Sequence, residues 1–230
     1  MLSDWSLPQL VRALALNLLV MVLSLSVHEC AHAWLASLLG DDTAKREGRL
    51  SLSPVTHVDL WGTIIIPALG VLMSSFGFIG WAKPTPVSPF KFTRKISMWN
   101  GMTLVAVAGP LSNLLLAVLS LGLIAVLSRA GVRFSGTMGG VGTLLAAMFE
   151  INVGLAIFNL LPFPPLDGSR LLPRSTAKLQ SAIAPYSLFV LLIILNVPLL
   201  TRWLIAMPVS LVAGGLESLF HTQAIAGLAR

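Results

Sequence analysis

The sequence predicts an all-α polytopic membrane protein. It should have about four or five transmembrane helices, a re-entrant or broken segment, and a small membrane-associated β element near residues 46–60. Three observations carry this. Of 230 residues, 56% are hydrophobic and 10% charged, against about 25% charged in soluble domains. Several apolar runs approach the roughly 20 residues that a helix needs to cross a bilayer. One of those runs is broken by proline and glycine, and these runs cover the chain so fully that a single integral-membrane domain is expected.

Taken in order, the first helix is expected over residues 10–39, ending at Gly40, a helix-stop residue. Residues 13–27 could pass for the apolar core of a signal peptide, but MLSDWSLPQLVR before them is weakly basic. An uncleaved helix is the preferred reading. Residues 44–60 contain REGRLSLSPVTHVDL, whose partial alternation of Leu50, Leu52, Val55 and Val58 suggests short strands. Residues 60–81 form a second apolar run holding Gly62, Pro67, Gly70, Gly77 and Gly80, which favours a re-entrant or broken segment. Further helices are expected over 100–127, 141–161 (with a motif extending to 172) and 185–207. Residues 208–220 are apolar but short, and suit the interface or the outside of the bundle.

The net charge is +6. Its basic residues lie in short loops between apolar runs, where they set topology and meet lipid headgroups. Nucleic acid is therefore not an expected partner; the bilayer is. The lone cysteine, Cys30, permits no internal disulfide and reads as a small packing residue.

The first helix carries SLSVHECAHAWLASLLG at residues 24–40. His28-Glu29-Cys30-Ala31-His32 is an HExxH motif. On a helix, residues four apart share a face, so both imidazoles can reach one ion. Glu29 projects about 100° away, as suits a base that takes a proton from metal-bound water. Each ionisable group in a membrane helix costs about 2.5–3.5 kcal/mol on insertion scales, and a divalent cation is the natural compensation for three of them. Zinc fits, because it brings its bound water to a pKa near 7.

A catalytic zinc usually has three protein ligands. His57 and His221 are the remaining histidines, but Asp167 in NLLPFPPLDG is the better candidate. The prolines there prevent a continuous helix, and broken backbone in a membrane must be buried or face water. The bland alternative for Asp167 is a turn residue, since Asp-Gly is an ordinary turn signal.

HExxH in a membrane helix, followed by AGPLSN and NLLPFPPLDG, resembles the site-2 protease family of intramembrane zinc metalloproteases. GRLSLSPVTHVDLWGT and GWAKPTPV resemble its compact bacterial and archaeal branch. The resemblance covers most of residues 20–175. It implies one zinc per chain held by His28, His32 and Asp167, Glu29 as general base, and Asn159 as a contact to the substrate backbone or oxyanion. Neither the PDZ nor the CBS domain that some relatives carry is visible. Where that branch often reads HIDP, this chain has His57-Val58-Asp59-Leu60.

A helix starting near Arg12 puts His28 about 24 Å along its axis, in the half of the bilayer nearer its far face. Asp167 must reach the same depth after the fourth run, which is consistent only if residues 60–81 re-enter. The Lys and Arg on the site's side are then ten against five; if residues 60–81 cross, the bias nearly vanishes. The positive-inside rule makes the site's side cytoplasmic, in the cell membrane of a prokaryote.

Among the other polar residues, His57 and Asp59 could support the site or touch an extended substrate, and His57 could compete as third ligand. Glu150 and Asn152, expected nearer the other face, could pair between helices, including with Asn113, which packs the third helix or helps hold substrate. Residues 46–60 could offer a strand edge to an unwound substrate. The expected activity is regulated intramembrane proteolysis of transmembrane-helix substrates. A metal transporter or metal-sensing membrane protein is the alternative, although it has no use for a base at Glu29. An inactive scaffold is a third reading.

Overall fold

The computed structural model describes residues 6–73 and 80–220. Five helices are long and apolar enough to cross a membrane: α1 (Leu7–Leu38), α2 (Met98–Arg129), α3 (Gly139–Asn159), α4 (Arg174–Asn196) and α5 (Pro198–Phe220). Helix starts follow local chemistry. Ser6 donates its N–H and hydroxyl to the Gln9 carboxamide oxygen at 2.8 and 2.9 Å ahead of α1, with Pro8 in the first turn. Ser97 caps α2 by accepting from the Asn100 N–H at 3.1 Å. α3 ends before Pro162, whose ring cannot continue a helix.

The core is made by α1, α2 and α3. Fully buried Ala33, Ala36, Ala117 and Ala156 let the helix backbones approach closely. Val20, Met21 and Leu25 of α1 pack on Ile151 and Leu155 of α3. Ala117 and Leu121 of α2 meet Phe149 and Val153 of α3, and Val209, Val212, Leu216 and Phe220 of α5 cover them. The opposite face of α2 exposes Leu111, Leu115, Leu119 and Leu123, a stripe suited to lipid.

Where the sequence suggests one helix over 185–207, the chain breaks at Val197–Pro198, because the proline starts a new helix. The short run 208–220 is the main part of α5. The Phe220 carbonyl accepts from Arg129 Nη2 at 3.2 Å, so α5 ends where α2 ends and runs beside it in the same direction. α4 begins with Arg174 stacked 5.7 Å over Trp99, at the start of α2. Its second half lines the same cavity as His28. It therefore stays on the side of the bundle that holds the histidines.

The β element near residues 46–60 does not form. Among the described residues there are no strands. Thr43–Arg46 and Pro54–His57 are single helical turns joined by irregular chain. Pro54 opens a helical turn in the middle of the apparent alternation. The backbone groups then pair locally: Thr56 N–H with Ser53 O, Val58 N–H with Pro54 O and Arg49 N–H with Ala44 O, at 3.2, 2.9 and 2.8 Å. Among the described residues no neighbouring strand competes for them.

Residues 60–73 are helical, starting with a π-helical stretch at Leu60–Ile65. Gly77, part of the same expected segment, lies outside the described residues, as does His221. From Gly80 to Ser88 the chain has no regular secondary structure, and Pro84, Pro86 and Pro89 favour an extended backbone in the residues before them. The Trp81 N–H donates to Gly62 O at 3.0 Å, and the Thr63 hydroxyl donates to Trp81 O at 2.8 Å. The Trp81 ring fills the space a Cβ on Gly62 would need. The chain thus comes back to the level it left.

Candidate metal centre

The two histidines of α1 meet a carboxylate that arrives more than 130 residues later. His28 and His32 Nε2 lie 3.0 Å apart, and Asp167 Oδ2 is 3.1 Å from the first and 3.3 Å from the second. A backbone detour makes this possible. After α3 ends, the chain folds back so that Gly168 lies against the carbonyls of Leu160 and Leu161, where any Cβ would overlap them. Asp167 opens a short 3₁₀ turn and is thereby aimed at α1. Gly109 of α2 plays the same part from the other side. A Cβ there would sit 2.5 Å from atoms of both imidazole rings.

Both histidines are oriented through their second nitrogen. His28 Nδ1 is 2.6 Å from Asn113 Oδ1, and His32 Nδ1 is 2.7 Å from the Val105 carbonyl. Carbonyl oxygens only accept, so each Nδ1 carries a proton and each Nε2 is the ring nitrogen that faces Asp167. Asp167 Oδ2 is buried, and the two Nε2 atoms are the polar groups it faces. Three ligand-type atoms thus converge within 3.3 Å of one another, a spacing that a shared cation stabilises. Two imidazoles and one carboxylate are a donor set that catalytic zinc uses, with a fourth position left open. The residues fit the metal.

Glu29 offers a second possible grouping, since its carboxylate lies within 4.8 Å of both imidazoles. Asp167 is the better third ligand, because it is closer. Glu29 Oε2 already accepts the Thr85 N–H at 2.8 Å, and the Thr85 hydroxyl donates back to the Glu29 carbonyl at 3.1 Å. Glu29 is therefore clamped beside the three-atom cluster by the extended segment.

The cluster opens into a cavity of about 770 Å³, within the size range of small-molecule and peptide sites. Its walls are Leu25 and Val105 from the core, the extended run at Trp81, Ala82, Pro84 and Thr85, and Leu188, Leu191 and Leu195 of α4. Asn159 also lines it. One of its amide N–H groups is turned back to Leu155 O at 3.0 Å, leaving the other free.

Other expected residues fall elsewhere. His57 is buried and its Nε2 donates to Ser51 O at 2.8 Å; it does not compete as third ligand. Asp59 caps the 60–65 stretch by accepting from Gly62 N–H at 2.7 Å. Neither lines the cavity. They act further back: the His57 carbonyl accepts the Lys83 N–H at 2.8 Å, which holds the run that carries Thr85. Asn113 touches His28 directly and pairs with Asn152 at 2.8 Å. Asn152 is therefore coupled to the site rather than remote from it. Thr85 and Gly168 were not singled out from the sequence. The Asp-Gly pair was the only signal for Gly168, and Thr85, between two prolines, carries none.

Residues 134–197 match peptidase family M50. The chain is 36% identical over 187 residues to "Putative zinc metalloprotease YwhC" of Bacillus subtilis, covering 79% of this chain and 80% of that protein. It is 31% identical over 192 residues to "Putative zinc metalloprotease Rip2" of Mycolicibacterium smegmatis, covering 79% and 67%. The Rip2 protein of Mycobacterium tuberculosis strain H37Rv is 29% identical over 186 residues, with the same coverage. No solved structure matches. The names of these relatives imply zinc, in accord with the donor set. With five apolar helices around a zinc-type cluster, and relatives this similar over most of its length, the chain belongs to peptidase family M50, the site-2 protease family of membrane zinc metalloproteases.

Proposed function

We propose that the protein hydrolyses peptide bonds in or near transmembrane segments of other membrane proteins, as a step of regulated intramembrane proteolysis. The observation that supports this most is the buried Asp167 oxygen facing the Nε2 atoms of both histidines, with a clamped Glu29 beside them, inside a cavity between apolar helices. His28, His32 and Asp167 would hold zinc. When bound, zinc supplies Lewis acidity, which polarises a carbonyl and acidifies water. Glu29 takes the proton of the attacking water and passes it to the leaving amine. Asn159 lines the cavity, and the amide N–H that it does not give to Leu155 would suit the developing oxyanion.

A helical substrate must unwind first, and each unpaired backbone group in lipid costs several kcal/mol. The extended run 80–88, rather than residues 46–60, borders the cavity where such a peptide would lie. The return of Trp81 to Gly62 supports a re-entrant 60–81 segment. Re-entry keeps the basic loops on the site's side, which makes that side cytoplasmic in a bacterial cell membrane.

Purified protein in lipid nanodiscs, with a fluorescent transmembrane peptide as substrate, tests the reading. Glu29→Gln should retain one zinc per chain and lose cleavage. Cleavage by that variant at the wild-type rate would reject Glu29 as the base; no cleavage by wild type, with zinc flux into vesicles unchanged by Glu29→Gln, would reject the protease and favour a transporter instead.

A further inference from the structure

Beyond the metal ligands lies a hydrogen-bonded chain that links all three core helices. His28 Nδ1 meets Asn113 Oδ1 at 2.6 Å; Asn113 Nδ2 donates to Asn152 Oδ1 at 2.8 Å; Asn152 Nδ2 donates to Ser24 Oγ at 2.8 Å and to the Met148 carbonyl at 2.7 Å. It leaves α1 at His28, crosses α2 and α3, and returns to α1 at Ser24, one turn before it started. Ser24, Asn113 and Asn152 have no solvent exposure, and His28 has 4%.

The chain has a direction, and one atom sets it. The Met148 carbonyl can only accept, so the Asn152 amide nitrogen must face it. Asn152 Oδ1 then points at Asn113, which turns the Asn113 nitrogen toward it and the Asn113 oxygen toward His28. Reversing any carboxamide would set oxygen against oxygen in a space that water does not reach. We infer that Asn113 and Asn152 are positioning residues: together they fix a proton of His28 on Nδ1 and hold the ring so that Nε2 is the nitrogen aimed at Asp167 and the metal position. Histidine ligands depend on such outer partners. His32 needs no relay, because Val105 supplies a backbone carbonyl directly.

This inference rests on the metal reading above, and the test separates the two. Protein labelled with ¹⁵N at its four histidines reports the His28 tautomer by NMR in the metal-free state. Zinc affinity is measured in parallel by competition with a chromophoric chelator. Wild type should show His28 protonated at Nδ1. Asn113→Leu should mix the tautomers and weaken zinc about 10- to 100-fold. Asn113→Asp with Asn152→Leu, which keeps the acceptor at His28 and removes the oxygen that the new carboxylate would otherwise face, should hold affinity to within about threefold of wild type, on the same reasoning. Asn152→Leu should weaken zinc less, and Asn113→Leu with Asn152→Leu no more than Asn113→Leu alone, because Asn152 acts through Asn113. Unchanged His28 nitrogen shifts in Asn113→Leu would overturn the relay, as would additive losses in the double variant. Wild type binding zinc no better than His28→Ala would instead sink the metal centre, and the metal-free tautomer would still decide the relay.

Discussion

At the scale of single residues, the site depends on atoms that are missing as much as on those present. Gly109 contributes no side chain, and that lets two imidazoles share the space beside α2. Gly109→Ala would push both rings, and a displacement near 1 Å in a preorganised site costs about 100-fold in rate. We expect zinc affinity to fall at least tenfold, read by chelator competition, with the helix content unchanged by circular dichroism. Thr85 tests the clamp on Glu29. Thr85→Pro deletes both the N–H that the Glu29 carboxylate accepts and the hydroxyl that donates to the Glu29 carbonyl, between Pro84 and Pro86, whereas Thr85→Ala deletes the hydroxyl alone and serves as its control. Losing a hydrogen bond to a charged group costs about 1.5–3 kcal/mol. Cleavage should fall roughly 10- to 100-fold while zinc content stays at one per chain. A parallel loss of zinc would mean that the segment holds the fold rather than the base.

At the scale of elements, the joints matter most. Asp41, fully buried just after α1, accepts from Thr43 N–H and Oγ1 at 3.0 and 2.5 Å and from Ser88 N–H at 2.5 Å. It ties the end of α1 to the extended run that carries Thr85. Burial pushes its carboxyl up, but the Thr43 and Ser88 donors and nearby Lys91 outweigh that and hold it below the usual carboxylate range. A depressed carboxylate stabilises the fold above its unfolded pKa of about 3.9, and that stability is lost as pH falls through the folded value. Asp41→Asn should therefore destabilise metal-free protein by on the order of 2 kcal/mol at pH 7. The gap from wild type should close below about pH 4, in thermal melts across pH, as both chains become neutral there. The first three long helices were legible in the sequence to within a few residues, because apolar runs of membrane length have few alternatives; the last two were not, because residues 185–207 read as one helix that Pro198 in fact divides. The β element was not. Its alternation was real, yet Pro54 at the centre and the lack of a partner strand converted it to a helical turn.

At the scale of the whole molecule, α5 ending beside α2 fixes a topology that can be measured. In a Cys30→Ala background, cysteines at Arg133 and Ser218 should label from one face of the membrane and cysteines at Arg94 and Arg174 from the other. Labelling of Ser218 with Arg174 would mean that α4 crosses completely. Zinc held as proposed should also bind the bundle together, since His28 and His32 come from α1 and Asp167 from the turn after α3. At a thousandfold excess over its dissociation constant, a ligand of the folded state adds about 4 kcal/mol, so chelation should lower the melting temperature of wild type but not of Asp167→Asn.

The sequence alone determined that the chain is a membrane protein and that one helix carries an HExxH pair. It also pointed to Asp167 as the carboxylate to join them. Composition, run length and i,i+4 spacing are local properties, and nothing distant can change them. Which face of each helix turns inward was not readable, because lipid and core are equally apolar and the usual polar-apolar stripe is absent. Only the tertiary structure decided the Asn113–Asn152–Ser24 connection, the Thr85 clamp and the displacement of His57 from the site. Each depends on directional hydrogen bonds between groups up to 128 residues apart, and such bonds exist only once the helices have packed.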